Sequence, residues 1–163
     1  MKNLFLLTIF ICTLTMTSSF GQTHFVEGRA NVIDGDTIKI GKSRIRLHGI
    51  DAPESKQGCK DKKLNYWLCG QAATKALRKK INNRVVECFS DKKDRHKRHI
   101  AICSVDGTNL NQWLVLNGWA IAYRKYSKDY LEAETAAKSI ETGIWAGEFI
   151  LPWEWRRGKR LKQ

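Results

Sequence analysis

No apolar run in this chain is long enough to cross a bilayer as a helix. The longest, residues 4–16, is interrupted by threonines and Cys12 and falls short of the about 20 residues that a span requires. There is no internal repeat and no long low-complexity linker, and 163 residues suit one compact domain. Cys-x-x-Cys spacing is absent, which argues against a zinc site. Acidic side chains are scarce: 16 Asp and Glu stand against 29 Lys and Arg, a formal net charge of +13. A field of that sign favours an anionic partner, whether nucleic acid, membrane surface or acidic polysaccharide, without choosing among them.

What is present begins with an export signature. Met1-Lys2-Asn3 gives a short positive start, residues 4–16 an apolar stretch, and Ser18, Ser19 and Gly21 the small residues of a cleavage site. That order predicts a secretory signal peptide over residues 1–21 and a secreted or periplasmic protein with no stable membrane insertion after cleavage. Cleavage removes Lys2 and no acid, so +13 becomes +12. Cys59, Cys69, Cys88 and Cys103 remain, and an even number in an exported chain predicts two disulfides. Of three possible pairings, Cys59–Cys69 and Cys88–Cys103 are favoured, each close in sequence and the second on an expected hairpin.

Residues 25–50 are rich in β-branched side chains, with Ile38 and Ile40 alternating with Thr37 and Lys39, and Ile45 and Leu47 with Arg44 and Arg46. Period-two alternation between glycine turns predicts an antiparallel meander. Ala72, Ala73, Ala76, Leu77 and Ile81 form a helical stripe over 71–81. Residues 85–89 and 100–105 read as two further strands, and 119–123 as a short one. Thr108 or Asn109 can cap a helix carrying Leu110, Trp113 and Leu114. Ser127 is expected to cap a third helix, 128–141, with Tyr130, Leu131, Ala137 and Ile140 facing the core. The expected fold is α+β: a five-stranded barrel of the oligonucleotide/oligosaccharide-binding type with about three helices, over residues 22–152. Residues 153–163 form a basic, aromatic tail.

One local feature runs against the composition. Asp34, Asp36, Asp51 and Glu54 fall within 21 residues of a strongly basic chain, on two turns that a meander can bring together. Clustered carboxylates repel unless a cation neutralises them, and hard divalent ions prefer oxygen ligands. Each motif taken singly also suits ordinary turn chemistry. Together, with an arginine between them, they meet the needs of phosphodiester cleavage. A cation polarises a phosphate oxygen, arginines donate to the others, and a carboxylate orients or deprotonates water.

Val32-Ile33-Asp34-Gly35-Asp36-Thr37 and Arg46-Leu47-His48-Gly49-Ile50-Asp51-Ala52-Pro53-Glu54 resemble the staphylococcal nuclease, or thermonuclease, family. The similarity continues through Asp94-Arg95-His96-Lys97-Arg98, Leu110-Asn111-Gln112-Trp113-Leu114-Val115, Gly118-Trp119-Ala120 and Gly143-Ile144-Trp145. The resemblance implies calcium-dependent hydrolysis of DNA and RNA with 3′-phosphate products. It implies that Asp36, Asp51 and the Ala52 carbonyl hold Ca2+, with Asp34 behind them. Glu54 matches the general base, Arg46 and Arg98 the phosphate-holding arginines, and Tyr123 a tyrosine against the nucleotide. Lys125 stands where a second tyrosine usually follows, leaving Tyr126 one place late. His96-Lys97 replaces a frequent Tyr-Gly, which makes Arg95 a substitute candidate for Arg98.

Other residues have plainer readings. Arg44 is expected as a solvated charge, His48 as a surface or packing residue, and His96 and His99 as exposed. Trp113, Trp119 and Trp145 are expected in the core. Trp153 and Trp155, with Arg156, Arg157, Lys159 and Arg160, either contact nucleic acid or form a plain docked tail. The leading expectation is a monomeric endonuclease. The alternatives are a non-catalytic nucleic-acid-binding module on the same barrel and an envelope protein binding acidic polysaccharide.

Overall fold

The computed structural model describes residues 24–162; the expected signal peptide lies outside them. In chain order come β1 (His24–Val32), β2 (Thr37–Ile40), β3 (Ser43–Leu47), β4 (Ile50–Asp51), β5 (Cys59–Lys60), β6 (Tyr66–Trp67) and α1 (Cys69–Ile81). There follow β7 (Val85–Lys93), β8 (His99–Val105), β9 (Thr108–Asn109), α2 (Leu110–Leu116), β10 (Ile121–Ala122), α3 (Leu131–Ser139), a 3-10 turn (Gly143–Ala146) and α4 (Pro152–Arg156).

The strand order β3-β2-β1-β7-β8 closes through a parallel β3–β8 pairing, giving a five-stranded mixed barrel; β9 is appended to β8. Closure depends on β1 serving two neighbours. Its first six residues pair with β7 and its last three with β2. A register shift between Ser90 and Lys92 adds curvature to β7. The alternating apolar positions point inward, and Ile38, Ile45, Leu47 and Val86 are buried beside Leu77 and Ile81 of α1 and Leu110 and Leu114 of α2. Trp113 and Trp119 pack against this core. A smaller cluster of Cys59, Cys69, Ile121 and Ile144 seats Trp145, Phe149, Leu151 and Trp153, while residues 157–160 are exposed. Both favoured disulfides are formed, Cys59–Cys69 and Cys88–Cys103.

Three expectations are corrected. The third helix spans only Leu131–Ser139, and the Ser127 hydroxyl accepts from the Asp129 amide at 3.0 Å, making a turn instead of a cap. Because the helix ends before it, Ile140 leaves the core stripe and is 70% exposed. His99 is buried, because it lies in the β8 ladder beside Ile45 and Lys93 with its ring edge-on to His24 at 5.7 Å.

Candidate active site

The barrel brings the two acidic turns into contact. Asp34-Gly35-Asp36 joins β1 to β2, while Asp51 closes β4 and leads into Ala52-Pro53-Glu54. The Ala52 amide donates to Asp36 Oδ2 at 3.0 Å. Gly35 permits the approach: a Cβ there would stand 2.7 Å from the Ala52 Cβ. Asp34 Oδ1 accepts from the Asp36 amide at 3.1 Å, and the Thr37 hydroxyl donates to Asp36 Oδ1 at 3.1 Å. Arg46, on β3, spans the gap, with Nη1 2.9 Å from Asp36 Oδ1 and Nη2 2.8 Å from Asp51 Oδ1.

Glu54 is placed by its neighbours. Its amide donates to Gln57 Oε1 at 3.1 Å, and the buried Gln57 side chain donates onward to the Ile150 carbonyl at 2.6 Å. Gly70, in the first turn of α1, lies so close that a Cβ would overlap the Glu54 carbonyl oxygen. The Cys59–Cys69 bridge holds this corner together.

The electrostatics follow from burial. Asp36 and Asp51 are buried, and burial pushes the Asp36 carboxyl up to about 7, against the pull of Arg46 and with Asp34 and Asp51 adding to the rise. Burial works against the Arg46 charge, but Asp36 and Asp51 outweigh it and hold Arg46 above its ordinary value. A cavity of about 10 Å³, room for one water-sized species, is lined by Asp34, Gly35, Asp36, Arg46, Ala52, Pro53 and Glu54. Hard oxygen donors around a hole of this size fit a hard divalent cation. Among the described residues no three His, Cys, Asp or Glu side chains converge as a ready-made ligand set; guanidinium groups stand between the carboxylates instead.

Arg98 belongs to a separate cluster. It donates through Nε to Asp94 Oδ2 at 2.7 Å, and Asp94 Oδ1 accepts from the Arg98 and His96 amides at 3.0 and 2.9 Å. These bonds overcome burial and hold the Asp94 carboxyl below its ordinary value. Ile100 is in register with Arg46 across β3–β8, and Arg98 lies two residues earlier, in the turn that leads into β8. Arg95 is exposed and contacts His96. Tyr123 packs edge-on against Tyr126 at 4.8 Å and stacks on Trp153 at 5.2 Å with the rings 7° from parallel.

One participant escapes single-residue reading. Arg156, at the end of α4, donates Nη1 to Asp51 Oδ1 at 3.1 Å and Nη2 to Asp51 Oδ2 at 2.8 Å, and Nη1 lies 2.6 Å from Glu54 Oε1. Pro152 suits the first turn of a helix, and the three-residue step from Trp153 to Arg156 sets both on one face. Nothing in the sequence says that this face meets residues 105 positions away.

A closed barrel carrying buried carboxylates bridged by arginine beside a glutamate defines a candidate phosphodiester hydrolase. Residues 44–147 match the family model described as staphylococcal nuclease homologue. A succinoglycan biosynthesis protein, ExoI, of Rhizobium meliloti is 35% identical over 85% of this chain and 74% of its own length. An uncharacterized endonuclease of Haemophilus influenzae is 32% identical over 96% of this chain and 86% of its own. A probable staphylococcal-like nuclease, CAN1, of Oryza sativa is 33% identical over 77% of this chain but only 36% of its own length. The chain belongs to the staphylococcal nuclease family, and with it to the phosphodiester hydrolases.

Proposed function

We propose that the chain is an exported, calcium-dependent nuclease that cuts within DNA and RNA strands and leaves 3′-phosphate ends. The observation that carries this reading is the bridge from Arg46 to Asp36 and Asp51 with Glu54 alongside. Asp36, Asp51 and the Ala52 carbonyl would hold Ca2+, and Asp34 steadies the turn through the Asp36 amide. Calcium bound there supplies positive charge that polarises a phosphate oxygen. Arg46 and Arg98 donate to the remaining oxygens, where paired donors suit the charge that builds during attack. Glu54 orients the water or takes its proton. Tyr123 lies against the nucleotide, with Arg95 and Tyr126 at the margin. Two disulfides and the leader-like start support export. The test is purified protein with plasmid DNA, first with calcium and then with chelator; folded protein that shows no calcium-dependent cleavage, whether it cuts in neither condition or equally in both, ends this reading.

A second reading, binding of an acidic polysaccharide at the envelope, draws on the net charge and on the name of the Rhizobium relative. It predicts polysaccharide binding that competes with nucleic acid, and independent binding of the two counts against it.

A further inference from the structure

The acidic cluster already carries an internal cation beyond Arg46. Asp51 is fully buried, and three guanidinium nitrogens donate to it: Arg46 Nη2 and Arg156 Nη1 on Oδ1, and Arg156 Nη2 on Oδ2. A carboxylate offers about four lone-pair sites, so three of Asp51's are taken. Arg156 also holds Glu54 through Oε1. A divalent ion on Asp51 needs one of those oxygens and places like charge against the guanidinium. The two arginines differ in their freedom to yield. Arg46 is one-fifth exposed and sits within the barrel wall, whereas Arg156 is 37% exposed on a five-residue helix. That helix lies beyond the residues that the family model matches.

We propose that Arg156 is a resident counter-ion of the acidic cluster, which a divalent cation must displace from Asp51 and Glu54, so that Arg156 sets the metal affinity of the site. The inference rests on Asp36 and Asp51 being the metal ligands. Without metal, Arg156 neutralises the carboxylates and keeps Glu54 engaged. With metal bound, the guanidinium turns to solvent and Glu54 is released. Arg156 is thus a positioning residue whose effect is read in metal binding, before any substrate is present.

The test is calorimetric titration of Ca2+ into the full mature chain without nucleic acid. Arg156→Gln is expected to bind calcium about tenfold more tightly than the parent, the order of losing one charge-assisted contact. Arg156→Lys keeps the charge but gives up the two-pronged geometry, and is expected between the two. Arg157→Gln, on the neighbouring exposed arginine, is expected to match the parent. Thermal melts establish that each variant is folded. Unchanged or weaker calcium binding in folded Arg156→Gln overturns the proposal; if that variant does not fold, equal affinities for Arg156→Lys and parent overturn it. Calcium-dependent cleavage of plasmid DNA by the same proteins separates the two readings. Cleavage with unchanged affinity sinks the counter-ion and leaves the nuclease standing, while neither cleavage nor binding sinks both.

Discussion

The amide of Ala52 donates to the carboxylate of Asp36 across 3.0 Å, joining two turns that lie 16 residues apart. Two short motifs, each ordinary as turn chemistry, are held side by side by that bond as one candidate site. The contact depends on there being no side chain at position 35, where a Cβ would stand 2.7 Å from that of Ala52.

Gly35→Val therefore pushes the turns apart. The expected cost is about 1–3 kcal/mol of stability, the range for overpacking. Cleavage is expected to fall by about 100-fold, because a misplacement near 1 Å can cost that much. Denaturant melts and initial rates on plasmid DNA check both figures. Full activity in the variant would show that the contact between the turns does not set the site.

Glu54→Gln is expected to keep the fold and lower turnover by about 10²- to 10⁴-fold, the usual span for a general base. Arg46→Ala removes the bridge between two buried carboxylates. It is expected to reduce turnover similarly and, unlike Glu54→Gln, to destabilise by about 3 kcal/mol, because it strips a buried ion pair of one partner. Of the two arginines in the 94–98 turn, Arg98 is partly buried and held by Asp94, while Arg95 is exposed. Arg98→Ala should therefore be severe and Arg95→Ala mild. The reverse order, measured as kcat on one substrate, would move the phosphate contact to Arg95.

Much of this fold is legible in the sequence because its signals are local. Ile38, Ile40, Ile45 and Leu47 alternate as half-buried strands do, and Ala73, Leu77 and Ile81 repeat every four residues on α1. The acid and arginine cluster is legible because its members sit on two short motifs. The shortened third helix is not, since Ser127 bonds equally well in a turn and in a cap and only packing decides. His99 reads as exposed among its basic neighbours; its burial depends on the pairing of β8 with β3. Arg156 lies furthest out of reach, because its partners are set by the docking of Trp153 and Leu151 on a distant cluster.

The two disulfides are expected to contribute differently to function. They join residues 10 and 15 positions apart, and the chain-entropy model assigns each about 3 kcal/mol. Cys88–Cys103 ties β7 to β8 within the barrel wall, so replacing both with alanine is expected to lower the melting temperature and leave kcat of the folded fraction nearly unchanged. Cys59–Cys69 brackets the corner where Gly70 and Gln57 hold Glu54. Its double alanine variant should lose stability and also kcat at temperatures where it remains folded. Equal losses of kcat in the two variants would remove the distinction.

His99 gives the fold a pH dependence separate from the acidic cluster. Its ring is buried, its Nδ1 has no hydrogen-bond partner among the described residues, and burial, with Lys93 and His24 nearby, holds its pKa below the ordinary 6.5. The folded chain thus binds this proton less tightly than the unfolded chain does. Protonation favours unfolding: the stability associated with His99 is complete above about pH 6.5, declines as pH falls below it, and levels off beneath the folded pKa. His99→Gln removes that titration. Between about pH 7.5 and 5 the parent is therefore expected to lose more of its melting temperature than the variant, with the difference developing below pH 6.5. Parallel pH profiles for the two proteins would mean that the buried ring carries no such penalty.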